Sequence, residues 1–356
     1  MKAWRLEMAG PSLRLLDVPD PVPGPGSVAI SVEACSLVSY QREYVRGELP
    51  NYFPPADPFT PGTNGIGTVV AVGPNVYGIH SGQRVLTTGN ATAAENVPEP
   101  AQALLSMTAA PSAADLLNDW RDGTLAEIAV APVGTVTAIP AELDHVPSFR
   151  LAVVTRCLVP YGGLLRGRLV PGETVIVNGA TGDYGRAAVR VALAMGASIV
   201  VAAGRNEAVL AQLGQIDRVR PVRLTGEVDA DTEALRAAAD GGAELAFDMI
   251  GGATSTAGTQ AALNALRRGG RLVLMGSARV PLPIDYTQLM MTSKEIIGNF
   301  MYPADAPARL LRLAAAGLLD LTAIDVAAYP LAELETAMDA AAEPGGPLVV
   351  VTPVKD

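Results

Sequence analysis

The stretch VIVNGATGDYGRAAVRVA, residues 175–192, constrains this chain more than any other. A run of apolar residues reads as a buried strand ending at Asn178, three glycines (Gly179, Gly182 and Gly185) open a turn, and an apolar-periodic segment reads as a helix. Glycine lets the backbone turn tightly and come close to a pyrophosphate, whose charge is met by the amides at a helix N-terminus. The spacing is G-x-x-G-x-x-G rather than G-x-G-x-x-G, so context carries the reading. A strand precedes the triplet, a helix follows it, and a second strand, SIVVAAG, ends about 20 residues past the last glycine.

Residues 173–302 alternate apolar strands with helical segments, among them ETVIVNG, DYGRAAVRVALAMG, ASIVVAAG, EAVLAQLG, ELAFDMIG, AALNALRRGG, RLVLMGS and KEIIGNFMY. Such alternation predicts a parallel sheet covered on both faces, a doubly wound nucleotide-binding domain. Residues 1 to 135 instead carry short runs rich in Val, Ile, Thr, Gly and Pro, such as SVAISVEA (27–34), GIGTVVAVG (65–73) and LAEIAVAP (125–132), which read as strands joined by turns. The Ala-rich, Pro-containing segment 90–123 is expected to form a long loop with a helical turn or two, as a rim or lid. The tail, 303–356, has two helical segments and then the apolar strand PLVVVTP, which most simply returns to the first domain. The expected α/β fold has a β-rich domain made of 1–150 with 303–356, and a Rossmann-type domain of 151–302.

With 356 residues, 49% of them hydrophobic, the chain can bury two ordinary cores. Its formal charge is -10 and its basic residues are scattered, which argues against a nucleic-acid partner. No run approaches the roughly 18 apolar residues of a membrane span, and the first residues lack a signal-type apolar segment, so a cytoplasmic protein with no membrane partner is expected. Cys35 and Cys157, the only cysteines, read as reduced core thiols. Lys2, Lys294 and Lys355 are the only lysines, which leaves few candidates for Schiff-base chemistry.

The end of the second strand of the doubly wound region bears on cofactor choice. An Asp or Glu there would bond the ribose 2′-hydroxyl of NAD, but this chain has Gly204, Arg205 and Asn206. Nothing repels a 2′-phosphate and an arginine can pair with it, so NADPH/NADP+ is expected.

Taken in order, VPDPVPGPGSVAISVEAC, PGTNGIGTVVAVGPNV with its following GQRV, VPYGGLL, the glycine fingerprint, FDMIGG and LMGS resemble a medium-chain dehydrogenase/reductase over nearly the whole chain. The resemblance implies a GroES-like catalytic domain followed by a Rossmann domain, and a hydride-transferring oxidoreductase that uses a nicotinamide cofactor and a small-molecule substrate. It assigns Gly179, Ala180, Thr181, Gly182, Tyr184 and Gly185 to the cofactor turn, with Gly204, Arg205 and Asn206 beyond it. It puts Ile250 and Gly251 near the adenosine or ribose, Met275, Gly276 and Ser277 on the nicotinamide side, and Asn299, Phe300 and Met301 over the nicotinamide. Asp248 is expected to hold its turn, and Asp183, a departure inside the glycine loop, to point to solvent. Relatives usually dimerise through the sheet edge near GNFMY, so a homodimer is expected.

Zinc members of this family have a Cys, a His and a further ligand in three places that fall here on Val38, Thr63 and Thr155, and a nearby Glu that falls on Asn64. None of these can act as an N or S ligand, four closely spaced cysteines are missing from 90–123, and only His80 and His145 occur in the chain. The expectation is therefore no zinc. Without a Lewis acid, an acceptor that spreads its own charge is favoured, a quinone or an α,β-unsaturated carbonyl, as in the quinone oxidoreductases and enoyl reductases. Tyr40, two residues past the lost first ligand, and Tyr52 are the candidate proton donors. Ser39, Gln41, Thr63, Asn64 and Tyr161 are the candidate pocket residues. Two other readings stay open: a zinc-free alcohol dehydrogenase or ketone reductase, and a cofactor-binding protein with little turnover.

Overall fold

A computed structural model describes residues 1–8 and 11–353. The chain divides into two compact units, one made of Met1–Thr155, Pro307–Ala315 and Leu321–Asp356, the other of Arg156–Ala306 and Ala316–Asp320. The division falls between Thr155 and Arg156, inside the helix Val153–Arg166.

The first unit is built on a seven-stranded sheet. Its order is Val136–Ala138, Arg84–Thr88, Asn64–Val72, Ser27–Ser36, Leu348–Thr352 and Val326–Pro330, with Ile128–Pro132 also paired to Ser27–Ser36. Strand Ser27–Ser36 is the hub, and eight of its ten residues are buried because neighbours cover it along its length. The C-terminal strand joins this sheet antiparallel, with Val351 opposite Cys35. One core gathers Trp4, Leu6, Val32, Phe59, Leu125, Leu334, Met338 and Val351.

Segment 90–123 is more ordered than a loop. It forms a three-stranded antiparallel sheet, Asn90–Thr92, Gln102–Leu104 and Thr108–Ala109, followed by the helix Ala114–Asp119, over a small core of Ala91, Ala103, Leu105, Ala109 and Leu117. Strands of two or three residues are too short for alternation to register, and alanine is a weak strand former.

The second unit holds a six-stranded parallel sheet ordered Val219–Arg223, Ile199–Gly204, Thr174–Asn178, Ala243–Asp248, Leu266–Leu274 and Glu295–Gly298. Numbered along the chain this is 3-2-1-4-5-6, a doubly wound order that reverses between Thr174–Asn178 and Ala243–Asp248. Strand Thr174–Asn178 is buried throughout, as a central strand covered on both faces must be. Among the described residues no helix is long and apolar enough to cross a membrane.

Candidate active site

In the second unit the glycine turn sits at the carboxyl end of the central strand, at the point where the strand order reverses, which is where ligands bind in open parallel sheets. Each glycine there has a separate reason. Gly179 has φ +83°, a conformation costly for other residues, and a side chain at Gly185 would lie 2.0 Å from the Gly179 carbonyl oxygen. At Gly182 a Cβ would meet only that oxygen, at 3.3 Å, so the outer wall of the turn is open. Gly182 caps the helix Asp183–Ala194 in an extended conformation, without a side-chain cap. The amides of the first turn are thereby available to an anion, and the turn fits a dinucleotide diphosphate.

The neighbouring strand ends close the cradle. Gly179 and Ala180 both donate from their backbone N–H to the Ala203 carbonyl, at 3.1 and 2.9 Å. Gly204 packs on Thr181 so closely that a Cβ would lie 2.5 Å from Thr181 Cγ2. Beyond it Arg205 is exposed, while Asn206 caps the helix Glu207–Leu213, its side-chain oxygen accepting from Val209 N at 3.2 Å. In register with Gly204 lies Arg223, whose Nε is 2.9 Å from Glu207, on a strand that the sequence reading did not single out.

At the next strand, Asp248 accepts from Ile250 N at 3.0 Å and from Asn178 Nδ2 at 3.3 Å, so it holds the turn. Burial pushes its carboxyl above the usual range. Ser277 N donates to the Ile250 carbonyl at 2.8 Å and Ser277 Oγ accepts from Gly252 N at 2.9 Å, while Gly276 admits no Cβ beside that same carbonyl. These contacts bring Ile250, Gly251, Gly276 and Ser277 onto one ledge. Asn299 Nδ2 donates to the Met301 carbonyl at 2.9 Å and lies 3.2 Å from Met275 Sδ, which gathers the third predicted group, and Phe300 beside them is exposed.

One fingerprint residue behaves differently from expectation. Asp183 does not point freely to solvent: its carboxylate lies 3.2 Å from Nε of Arg156, a residue 2% exposed. The same guanidinium sits 4.5 Å from the centre of the Tyr184 ring, so one face of that ring is given to Arg156. Their separation of 27 positions along the chain hides the pair from any local reading. The one signal was a lone arginine in the apolar run VVTRCLV, since a buried arginine needs a partner.

In the first unit, TPGT forms a turn zipped to residues 123–125: Gly123 N donates to the Thr60 carbonyl, Thr124 N to that of Gly62 and Leu125 N to that of Pro61. Gly62, at φ +114°, touches the Leu125 backbone. Asn64 follows the turn and meets Ser36 at the end of the hub strand. Ser36 N donates to Asn64 Oδ1 at 3.1 Å and Asn64 Nδ2 donates back to the Ser36 carbonyl at 3.2 Å. Ser36 Oγ lies 2.7 Å from Thr155 Oγ1, which donates in turn to the Ala152 carbonyl at 2.6 Å. One consistent arrangement thus runs from Ser36 hydroxyl to Thr155 hydroxyl to Ala152 carbonyl, with Asn64 satisfied by the Ser36 backbone. Thr63 stands at the margin, its hydroxyl 3.5 Å from Asn64 Nδ2, and Val38 is buried in the apolar core. Ser36 was not foreseen, because a serine at a strand end is unremarkable until its partners are known.

Among the described residues there is no group of three or more His, Cys, Asp or Glu placed to hold a metal ion. Both thiols are buried, and burial pushes Cys35 up to about 11 and Cys157 up to about 12.

Tyr40 and Tyr52 are brought together, ring centres 6.2 Å apart and nearly edge to face, with Tyr44 a further neighbour 6.1 Å from Tyr52. Tyr44 is buried and its hydroxyl donates to the Met107 carbonyl at 2.7 Å, which makes it the anchor of the trio. Tyr40 and Tyr52 are half-buried, as is Ser39, whereas Gln41 and Tyr161 are buried.

Comparison with known proteins agrees with this architecture. The alcohol dehydrogenase GroES-like domain family matches residues 24–141 and the zinc-binding dehydrogenase family matches residues 185–316. A quinone oxidoreductase of Sus scrofa is 28% identical over 310 residues, covering 85% of this chain and 80% of the relative. An alcohol dehydrogenase of Moraxella sp. (strain TAE123) is also 28% identical, over 93% of both chains. A solved short chain alcohol dehydrogenase of E. coli CFT073, complexed with the cofactor NADH, superposes with a TM-score of 0.80 at 18% identity over 99% of each chain, which speaks to the fold alone. With a GroES-like domain in front of a dinucleotide-binding sheet and both families of relatives spanning it, the chain belongs to the medium-chain dehydrogenase/reductases and is an oxidoreductase of that family.

Proposed function

We propose that the protein is a zinc-independent, NADP(H)-dependent reductase of conjugated acceptors, quinones or α,β-unsaturated carbonyls. The observation that carries this reading is the Ser36–Asn64–Thr155 network. At the positions where zinc members keep their ligands this chain has a buried valine, a threonine, and a hydroxyl already bonded to two oxygens. That donor set does not fit zinc, which is bound by thiolate, imidazole and carboxylate. Carbonyl reduction without a Lewis acid favours a substrate whose developing charge is delocalised over a conjugated system.

NADPH, when bound, supplies the hydride. The chain's own part is to hold and protonate. The turn from Gly179 to Gly185 receives the diphosphate, and Arg205, with Arg223 in register with the preceding Gly204, favours a 2′-phosphate over a bare ribose. On the ledge, Ile250 and Gly251 serve the adenosine or ribose side, and Met275, Gly276 and Ser277, with Asn299, Phe300 and Met301, the nicotinamide side. Tyr40 and Tyr52 are the proposed proton donors, each able to hydrogen-bond a developing enolate or hydroquinone oxygen, with Ser39, Gln41, Thr63, Asn64 and Tyr161 as proposed pocket residues.

A homodimer is part of the proposal. Strand Glu295–Gly298 is the edge of its sheet, and Tyr286, Met290, Met291 and Phe300 near it are 78%, 57%, 60% and 62% exposed, an apolar margin suited to a second copy. The two buried, reduced thiols suit the cytoplasm.

The test is consumption of NADPH and NADH with quinones, enones, aldehydes and ketones, with and without EDTA. NADPH should be consumed with quinones or enones and be indifferent to EDTA. R205A should raise KM for NADPH about tenfold or more and leave that for NADH alone, the scale of a lost charge-assisted hydrogen bond. Loss of turnover on chelation with recovery on adding zinc overturns the metal-free reading. Reduction of simple ketones alone points to the second reading, which the alcohol dehydrogenase relative favours.

A further inference from the structure

Asp183 poses a problem that the glycine turn alone does not solve. It is the first residue of the helix Asp183–Ala194, immediately after the open Gly182. A carboxylate there suits the helix dipole, yet it stands where a diphosphate is to be received, and like charges at that range repel. Arg156 answers it from the helix Val153–Arg166. The guanidinium is 2% exposed, its Nε is 3.2 Å from Asp183 Oδ2, and it lies 4.5 Å from the centre of the Tyr184 ring. Two consecutive residues of the fingerprint thus hold one arginine, Asp183 by charge and Tyr184 by its ring face. A cation this buried is expensive unless paired, so the pair is maintained as a unit. The Asp183 side chain keeps a quarter of its surface in solvent.

We propose that Arg156 is a positioning residue for the cofactor: it neutralises Asp183 and draws it aside, so that a dinucleotide diphosphate meets a turn without net negative charge. This rests on the reading of the turn as a nicotinamide dinucleotide site and adds a residue that no glycine motif contains. Arg156 acts through Asp183 and not by touching the cofactor. Its effect on binding therefore depends on the carboxylate being there.

The experiment is a double-mutant cycle read as the NADPH dissociation constant by fluorescence titration, with thermal melts alongside to report folding. R156Q should weaken NADPH binding about tenfold or more, the scale of one exposed negative charge facing a diphosphate. D183N should bind as tightly as the wild type or more tightly, and the D183N/R156Q double variant should fall within about threefold of the wild type. Equal weakening by R156Q in both backgrounds would mean that Arg156 contacts the cofactor directly or only supports the helix packing, and overturns the proposal. So does R156Q binding like the wild type. Should R156Q alone not fold, the neutral double variant decides: binding within about threefold supports the proposal, and loss of binding by a folded double variant overturns it. Failure of the underlying cofactor reading looks different, since the wild type would then bind neither NADPH nor NADH.

Discussion

Thr155 stands at a position proposed above to match a metal ligand of zinc relatives, and here it serves hydrogen bonding. Its hydroxyl is bonded on both sides, by Ser36 Oγ at 2.7 Å and by the Ala152 carbonyl at 2.6 Å. T155V keeps the volume and leaves the Ser36 hydroxyl without that partner. It should cost about 1–2 kcal/mol, or roughly 2–4 °C in Tm, by calorimetry, while T155S should stay near the wild type. The thiols make a second test at this scale. Both are pushed up by burial, to about 11 and about 12, above the ordinary range near 8.5. Below about pH 8 both thiols are protonated, folded or unfolded, and add nothing to the pH dependence of stability. Above that the unfolded chain ionises first, so they subtract stability as pH rises. A disulfide reagent at pH 8 should label neither thiol in the native protein and both after denaturation. At this scale the sequence was legible wherever a residue acts by its own backbone chemistry, as with Gly179 at φ +83° in the glycine turn. It was silent where a partner is distant, as with Arg156 and Asp183 or Ser36 and Thr155.

Among the elements, the helix Val153–Arg166 explains its own motif. A Cβ at Gly163 would lie 2.2 Å from the Phe247 ring and 2.4 Å from Met275 Sδ, and one at Gly162 would lie 2.4 Å from the Met301 carbonyl oxygen. The glycines of PYGG are spacers that let this helix approach the parallel sheet and the 299–302 segment. G163A should therefore be destabilising by about 1–3 kcal/mol in urea unfolding, despite the better helix propensity of alanine. If G163A is neutral or stabilising, close packing is not the role of Gly163. Long elements with strong periodicity, such as Thr174–Asn178 and Asp183–Ala194, could be read in advance. Strand Val219–Arg223 could not: it reads Val-Arg-Pro-Val-Arg, with no two-residue alternation, and Pro221 is tolerated because the strand lies at the sheet edge. The three-stranded sheet within 90–109 escaped because its strands hold only two or three residues.

For the whole molecule the proposed homodimer gives a direct test. Light scattering should report twice the mass of the chain, and the M290E/M291E variant, charged beside the open edge strand, should run as a monomer with an unchanged melting profile. A monomeric wild type removes the proposal. The sequence by itself determined the class of fold and the order of its segments, because alternation and glycine spacing are local patterns. Only the tertiary structure decided which polar side chains and which charges meet. Ser36, Asn64 and Thr155 come from three separate segments of the first unit and form one network only once that unit is folded. Likewise Asp183 reads as an exposed oddity in one dimension and as the partner of a buried arginine in three, since that arginine is 27 residues away.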